Sequence, residues 1–327
     1  MRRDFLIVLA LFLFFCGTGA ADEPHTPTTA FIHANVLPMD TEDVLHNYTV
    51  IITDGRISAM GPAETTPIPP EAQMIDAEGA YLMPGMADMH AHLSAFDANK
   101  TYAVPGETVD APGETVNFQV DREMIPNTVA LLRNHQIDVV ATLVVDEVMV
   151  RLCLDTPGVL AGREYRVIPP AMLEGWRTTG RNVRSFRGQG PYRRDVAQPF
   201  LLELTGALHA SGVMITAGVD ASVEGIIPGY HIHRELELLV ESGMTPYEAL
   251  SAGTRNAGQV VAHMGRDGNF GVIRVGNRAD LVLLSKNPFE SVSATRDRIG
   301  VMARGRWYLQ QELNGMVDRW VETLEEK

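Results

Sequence analysis

The chain is poor in cysteine, in lysine and in long apolar runs. Only Cys16 and Cys153 occur among 327 residues, so a disulfide framework does not organise the fold. Cys153 sits among Val150, Leu152 and Leu154, where a buried structural thiol is expected. Lysine occurs only at Lys100, Lys286 and Lys327. Positive charge is scarce in general: 27 Lys and Arg stand against 41 Asp and Glu, for a formal net charge of −14. Such a chain repels phosphate backbones, which argues against a nucleic-acid partner. The strongest apolar run, Phe5 to Phe15, is too short to span a bilayer. Arg2 and Arg3 precede it and Thr18-Gly19-Ala20 follow it, the pattern of a signal peptide over residues 1–20. Export to a periplasm or beyond is the expectation, with no stable membrane anchor after cleavage. Lipid attachment at Cys16 is the minor alternative, because Leu13-Phe14-Phe15 puts bulk where small residues are wanted.

Hydrophobic residues make up 45% of the chain, enough for a sizeable core. Residues 21–29 are a polar, Pro-containing linker. The pattern from Ala30 to Pro84 is β, with strands at 31–36, 49–52, 56–60, 73–76 and 80–83 and a hairpin signal at Asp54-Gly55. Helix is expected from about Asp121 to Gln136. Ile137 to Val145 reads as a buried strand and residues 155–195 as irregular chain. Pro199 to Ala210 reads as helix, and Gly212 to Asp220 as a second buried strand that ends in a carboxylate. A helix around Arg234 to Glu241 stops at Gly243. Thr245-Pro246-Tyr247-Glu248 then has the capping-box spacing of a helix start. The tail returns to β at 271–273, 279–284, 301–303 and 306–308, followed by a surface helix at 311–327. The outer β segments, 30–85 and 270–310, are expected to pair as one composite β-sandwich around an inner α/β region, 86–269.

The strongest chemical signal is Pro84-Gly85-Met86-Ala87-Asp88-Met89-His90-Ala91-His92. Residues i and i+2 of a strand project from the same face, so His90 and His92 can converge on one point as half of a divalent-metal site. The plain alternative is a pair of hydrogen-bonding strand histidines. Asp220, after Gly218 at a strand end, is either a functional carboxylate or the N-cap of the next helix.

These stretches resemble the amidohydrolase superfamily of metal-dependent hydrolases, in its imidazolonepropionase- and prolidase-like branch. Pro84-Gly85 through His92 is similar to the first barrel strand, 139–145 to the seventh, Thr216 to Ala221 to the eighth, and Gly276 to Val282 to the return into the sandwich. His233-Arg234-Glu235-Leu236 and the Thr245-Pro246 helix also fit. The resemblance implies a (β/α)8 barrel with a side β-sandwich. It implies His90, His92 and Asp220 as metal ligands, with Asp220 also the general base and acid. One or two divalent metals, Zn2+ first among them, would activate water against a small-molecule amide.

The same resemblance exposes a shortfall. A barrel of this type needs ~250 residues, and residues 86–269 fall well below that. Between His92 and Asp220 the only histidines are His135 and His209, both on predicted helices, and no lysine lies at a strand end. The ligands of strands 4 to 6 are therefore absent, which allows at most one metal. An incomplete barrel lacking strands 2 to 6 would expose raw parallel edges and favour a homo-oligomer that covers them. Two readings stand here: an amidohydrolase that cleaves a C–N bond, and an inactive, internally deleted relative that binds or self-associates. Glu147 is an added ligand or a solvated loop carboxylate. His231 and His233 line the site, or one of them caps the following helix. The eight arginines from Arg163 to Arg194 are a carboxylate-recognising lid or, the favoured reading, a solvated loop paired with acidic neighbours.

Overall fold

A computed structural model of the chain describes residues 27–91, 120–178, 188–221 and 223–325. The residues read as a signal peptide, and His92, lie outside the described residues. Contacts divide the chain into two units, Met1–Ala87 with Pro246–Lys327, and Asp88–Thr245.

The first unit is built on one eight-stranded sheet in the order β10-β9-β8-β5-β1-β2-β3, with β4 beside β1. β1 is Thr29–Val36, β2 Leu45–Thr53, β3 Arg56–Pro62, β4 Gln73–Asp76 and β5 Tyr81–Pro84. From the C-terminal part come β8 Leu281–Leu284, β9 Arg298–Ala303 and β10 Arg306–Leu309. The two ends of the chain meet where β5 pairs antiparallel with β8, Tyr81 opposite Leu284 and Met83 opposite Val282. The β2–β3 turn has φ of 47° at Asp54 and 72° at Gly55, the doubly left-handed turn that an Asp-Gly pair favours. Phe31, Val36, Val50, Ile52, Leu82, Leu281, Leu283 and Met302 form its continuous apolar core. Residues 271–273, expected as strand, form no ladder. Helices Pro246–Gly253 and Arg255–His263 belong to this unit. So does Gln310–Glu325, a surface helix with no buried residue.

The second unit has much less sheet. β6 is only Val139–Val140 and β7 only Ile215–Thr216, paired in parallel. The segment before His92 runs along the other side of the β7 chain: Met89 N–H donates to the Ala217 carbonyl at 3.0 Å, and Ala91 bridges Ala221 in parallel. Three parallel segments thus lie side by side, with 215–221 in the middle.

Two expectations need correction. The strand read over 137–145 shrinks to Val139–Val140, because Thr142 turns left-handed (φ 48°) and a helix, α2 (Leu143–Leu160), begins immediately after it. A short apolar run fits a buried strand and a buried helix equally well. Residues 155–195 are also less irregular than expected. α2 breaks at Asp155, which then accepts from Gly158 N–H and restarts the helix before Ala161. Helix α3 follows at Pro170–Thr178. The other helices of this unit are α1 (Ile125–Asn134), α4 (Gln198–Ala210) and α5 (Ile232–Glu241).

Candidate functional site

The C-terminal ends of two of the three parallel segments carry the chemistry. His90 lies on the first and Asp220 just beyond β7, where the chain turns left-handed (φ 51°). Their side chains meet: His90 Nε2 is 3.3 Å from Asp220 Oδ1, with side-chain exposures of 41% and 21%. Gly218 makes the approach possible. A Cβ there would lie 2.5 Å from Val140 Cγ1, 2.8 Å from His90 Cβ and 2.9 Å from His90 N. The backbone of 218 is wedged between its two neighbours, and only glycine fits.

Asp88 lies beneath this pair. Its Oδ1 accepts from the N–H groups of His90 (3.1 Å) and Val219 (3.0 Å), so one oxygen ties together the segments that carry both site residues. Its Oδ2 is buried, with no hydrogen-bond partner among the described residues. Burial pushes the Asp88 carboxyl up, against the pull of the two N–H donors. Asp88 belongs to the Pro84–His92 motif, but the histidine spacing alone assigns it no role. A carboxylate two residues before a strand histidine is the signal that could have flagged it.

Glu235 on α5 is another carboxylate taken out of water. It is fully buried and accepts from Val144 N–H at 2.8 Å. The N–H groups of Leu143 and Thr142 pull in the same direction. Glu235 thereby caps α2, whose own N-cap, Thr142, makes no side-chain cap bond. Burial outweighs these donors and pushes the carboxyl up to about 8.

The remaining predicted residues take other places. Glu147 is neither an added ligand nor a solvated loop carboxylate. It lies within α2, and Arg234 grips it through Nε at 3.0 Å and Nη2 at 2.6 Å. His231 and His233 are both buried. His231 makes no side-chain cap bond to α5; its Nδ1 accepts from Ile227 N–H at 2.9 Å, and burial lowers its imidazole to about 4. Within the arginine-rich stretch, Arg193 pairs with Asp146, Arg177 with Glu174 and Arg194 with Asp195. The Arg193–Asp146 pair is almost buried, at 12% and 8% side-chain exposure, so that arginine is structural and not solvated. Arg181, Arg184 and Arg187 lie outside the described residues. His135 directly follows helix α1 and His209 lies in the last turn of α4, away from strand ends.

Two zinc-type donors 3.3 Å apart match roughly the edge of a tetrahedral shell with bonds of ~2.0–2.1 Å. The described part of the site fits two corners of such a shell. No group of three or more His, Cys, Asp or Glu able to hold a metal occurs among the described residues.

A family model for the amidohydrolase family matches residues 181–308. The chain is 42% identical over 55 residues to an adenine deaminase of Ruegeria sp., a match covering 17% of this chain and 9% of that protein. It is 42% identical over 50 residues to an imidazolonepropionase of Idiomarina loihiensis, covering 15% of this chain and 12% of that protein. These matches span only about a tenth of the relatives' own length. Among solved structures, a prolidase complexed with N-methylphosphonate-L-proline superposes with a TM-score of 0.58 at 16% identity, over 86% of this chain and 99% of that one. That likeness concerns the fold. Residues 181–308 are thus similar to an amidohydrolase family model, and the mixed α/β fold is like that of solved prolidases.

Proposed function

We propose that this protein is an exported, metal-dependent amidohydrolase that cleaves a C–N bond in a small cyclic or dipeptide-like amide. The single observation that carries the reading is the meeting of His90 Nε2 and Asp220 Oδ1 on neighbouring parallel segments. The names of the matched relatives, adenine deaminase, imidazolonepropionase and prolidase, point to the same bond class. In this reading His90, His92 and Asp220 hold one divalent ion, zinc in the first instance, within a barrel shortened to strands 1, 7 and 8. Bound there, such an ion would supply Lewis acidity that makes a water easier to deprotonate. The Asp220 carboxylate takes the proton of the attacking water and returns it to the leaving nitrogen. The left-handed turn at Asp220 presents that carboxylate at the end of its segment, beside the His90 imidazole.

The test is hydrolysis of a panel of cyclic amides and Xaa-Pro dipeptides by zinc-loaded protein. Turnover that falls ~100-fold or more in Asp220→Asn supports the reading. Turnover equal in Asp220→Asn and the unmodified chain contradicts it.

The second reading, an inactive and internally deleted relative, is favoured by one specific observation: only two donors converge among the described residues. It predicts self-association in light scattering, and no turnover of any amide in the panel.

A further inference from the structure

The seam between the His90 segment and the Asp220 segment is not an ordinary parallel ladder. Met89 N–H to the Ala217 carbonyl, at 3.0 Å, is a normal rung. Further along, Val219 N–H donates to the side chain of Asp88 at 3.0 Å, and His90 N–H shares the same oxygen at 3.1 Å. The departure has a local cause. Asp220 turns left-handed at φ 51°, so the strand path is irregular there before Ala221 pairs with Ala91. The wedged backbone of Gly218 leaves no room for a side chain to support the seam from that residue. A side-chain oxygen replaces the missing rung.

We infer that Asp88 is a positioning residue for the site proposed above, acting as a hydrogen-bond acceptor that sets the separation of His90 and Asp220, and not as an acid, base or ligand. The inference rests on that functional reading only for its metal arm. Both donors to Oδ1 are main-chain groups, one of His90 itself and one of the residue preceding Asp220. Neither bond requires the negative charge. An amide oxygen has the two lone pairs needed to accept both, and an amide also removes a buried like charge near Asp220.

The experiment compares the full-length chain with Asp88→Asn and Asp88→Ala in two measurements. Hydrogen exchange at the His90 and Val219 amides reads the seam with no reference to function. Zinc affinity by chelator competition reads the site. Asp88→Asn is expected to keep amide protection and to hold zinc within about threefold of the unmodified chain, because the acceptor is retained. Asp88→Ala is expected to lose protection at both amides and to bind zinc ~10–100-fold more weakly, the loss typical of groups that orient ligands from behind. Loss of protection in Asp88→Asn overturns the inference, since charge would then be the requirement. Unchanged protection in Asp88→Ala overturns it as well. Should Asp88→Ala fail to fold, Asp88→Asn decides alone. Zinc binding by none of the three proteins contradicts the functional reading, while the exchange data still decide the role of Asp88.

Discussion

The two units solve the problem of folding in opposite ways. Among the described residues of the sheet unit, every buried polar residue is a threonine or serine: Thr29, Thr49, Ser251, Thr254 and Thr295. In the unit Asp88–Thr245, by contrast, Asp146, His231, His233 and Glu235 are all buried. Among the described residues, every buried ionisable side chain lies in that second unit. The sheet unit satisfies its backbone through long ladders and needs only an apolar interior. The second unit has two strands of two residues each, so its backbone groups turn to side chains: Asp88 for the seam, Glu235 for the start of α2, and His231 for Ile227. Burying a charge or a neutralised acid costs stability.

The comparison can be broken by substitution, beginning with the largest effects. Phe31 is fully buried and meets Trp307 edge to face at 5.1 Å between ring centroids. Phe31→Ala is expected to lose ~3–5 kcal/mol in urea denaturation, equally at pH 5 and pH 8. Glu235→Ala is expected to lose ~3 kcal/mol or more, because it strands buried N–H groups at the start of α2, and here the loss depends on pH. A pH-independent loss at Glu235 would erase the distinction between the units.

The sign of that dependence follows from the direction of each shift. Glu235 is raised from 4.5 to about 8 in the fold. Its contribution is complete below pH 4.5 and drains away as pH rises to about 8, by up to ~1.4 kcal/mol per pH unit. His231 is lowered from 6.5 to about 4. The fold keeps it neutral, so stability is intact above pH 6.5 and is lost as pH falls through 4. Glu235→Gln should flatten the alkaline limb of a stability–pH curve, and His231→Gln the acid limb. The opposite assignment of limbs would contradict the burial described for both.

Gly218→Ala comes next. The added methyl meets Val140 and His90 at under 3 Å and should cost ~1–3 kcal/mol. It should also weaken zinc binding more than it weakens the fold, as a zinc titration beside the urea curve would show. The smallest effect belongs to Arg122–Glu203, a 2.7 Å pair half exposed on both sides. Arg122→Ala should change stability by under ~1 kcal/mol, and a larger change would show that surface pairs hold this unit more than its buried carboxylates do.

Legibility follows the same divide. The outer strands could be read because they alternate or carry local turn chemistry, as at Asp54-Gly55. Helix α5 could be read because Leu236 and Leu239 recur on one face with Gly243 beyond its end. The start of α2 could not be read. Its cap is supplied by Glu235, 91 positions away, so nothing near Thr142 announces a helix. At the site, the spacing that made His90 and Asp220 candidates was local, and the structure brings them together. The bracing by Asp88 depends on which segment lies beside which, and sequence order alone does not contain that information.

The central claim is that His90 and Asp220 face one ion from neighbouring segments. Zinc stoichiometry after chelation and reloading tests it most directly, on the unmodified chain, His90→Ala and Asp220→Ala. The account predicts one tightly held zinc per unmodified chain and none in either variant. Equal uptake by all three proteins, or no uptake by the unmodified chain, would contradict it.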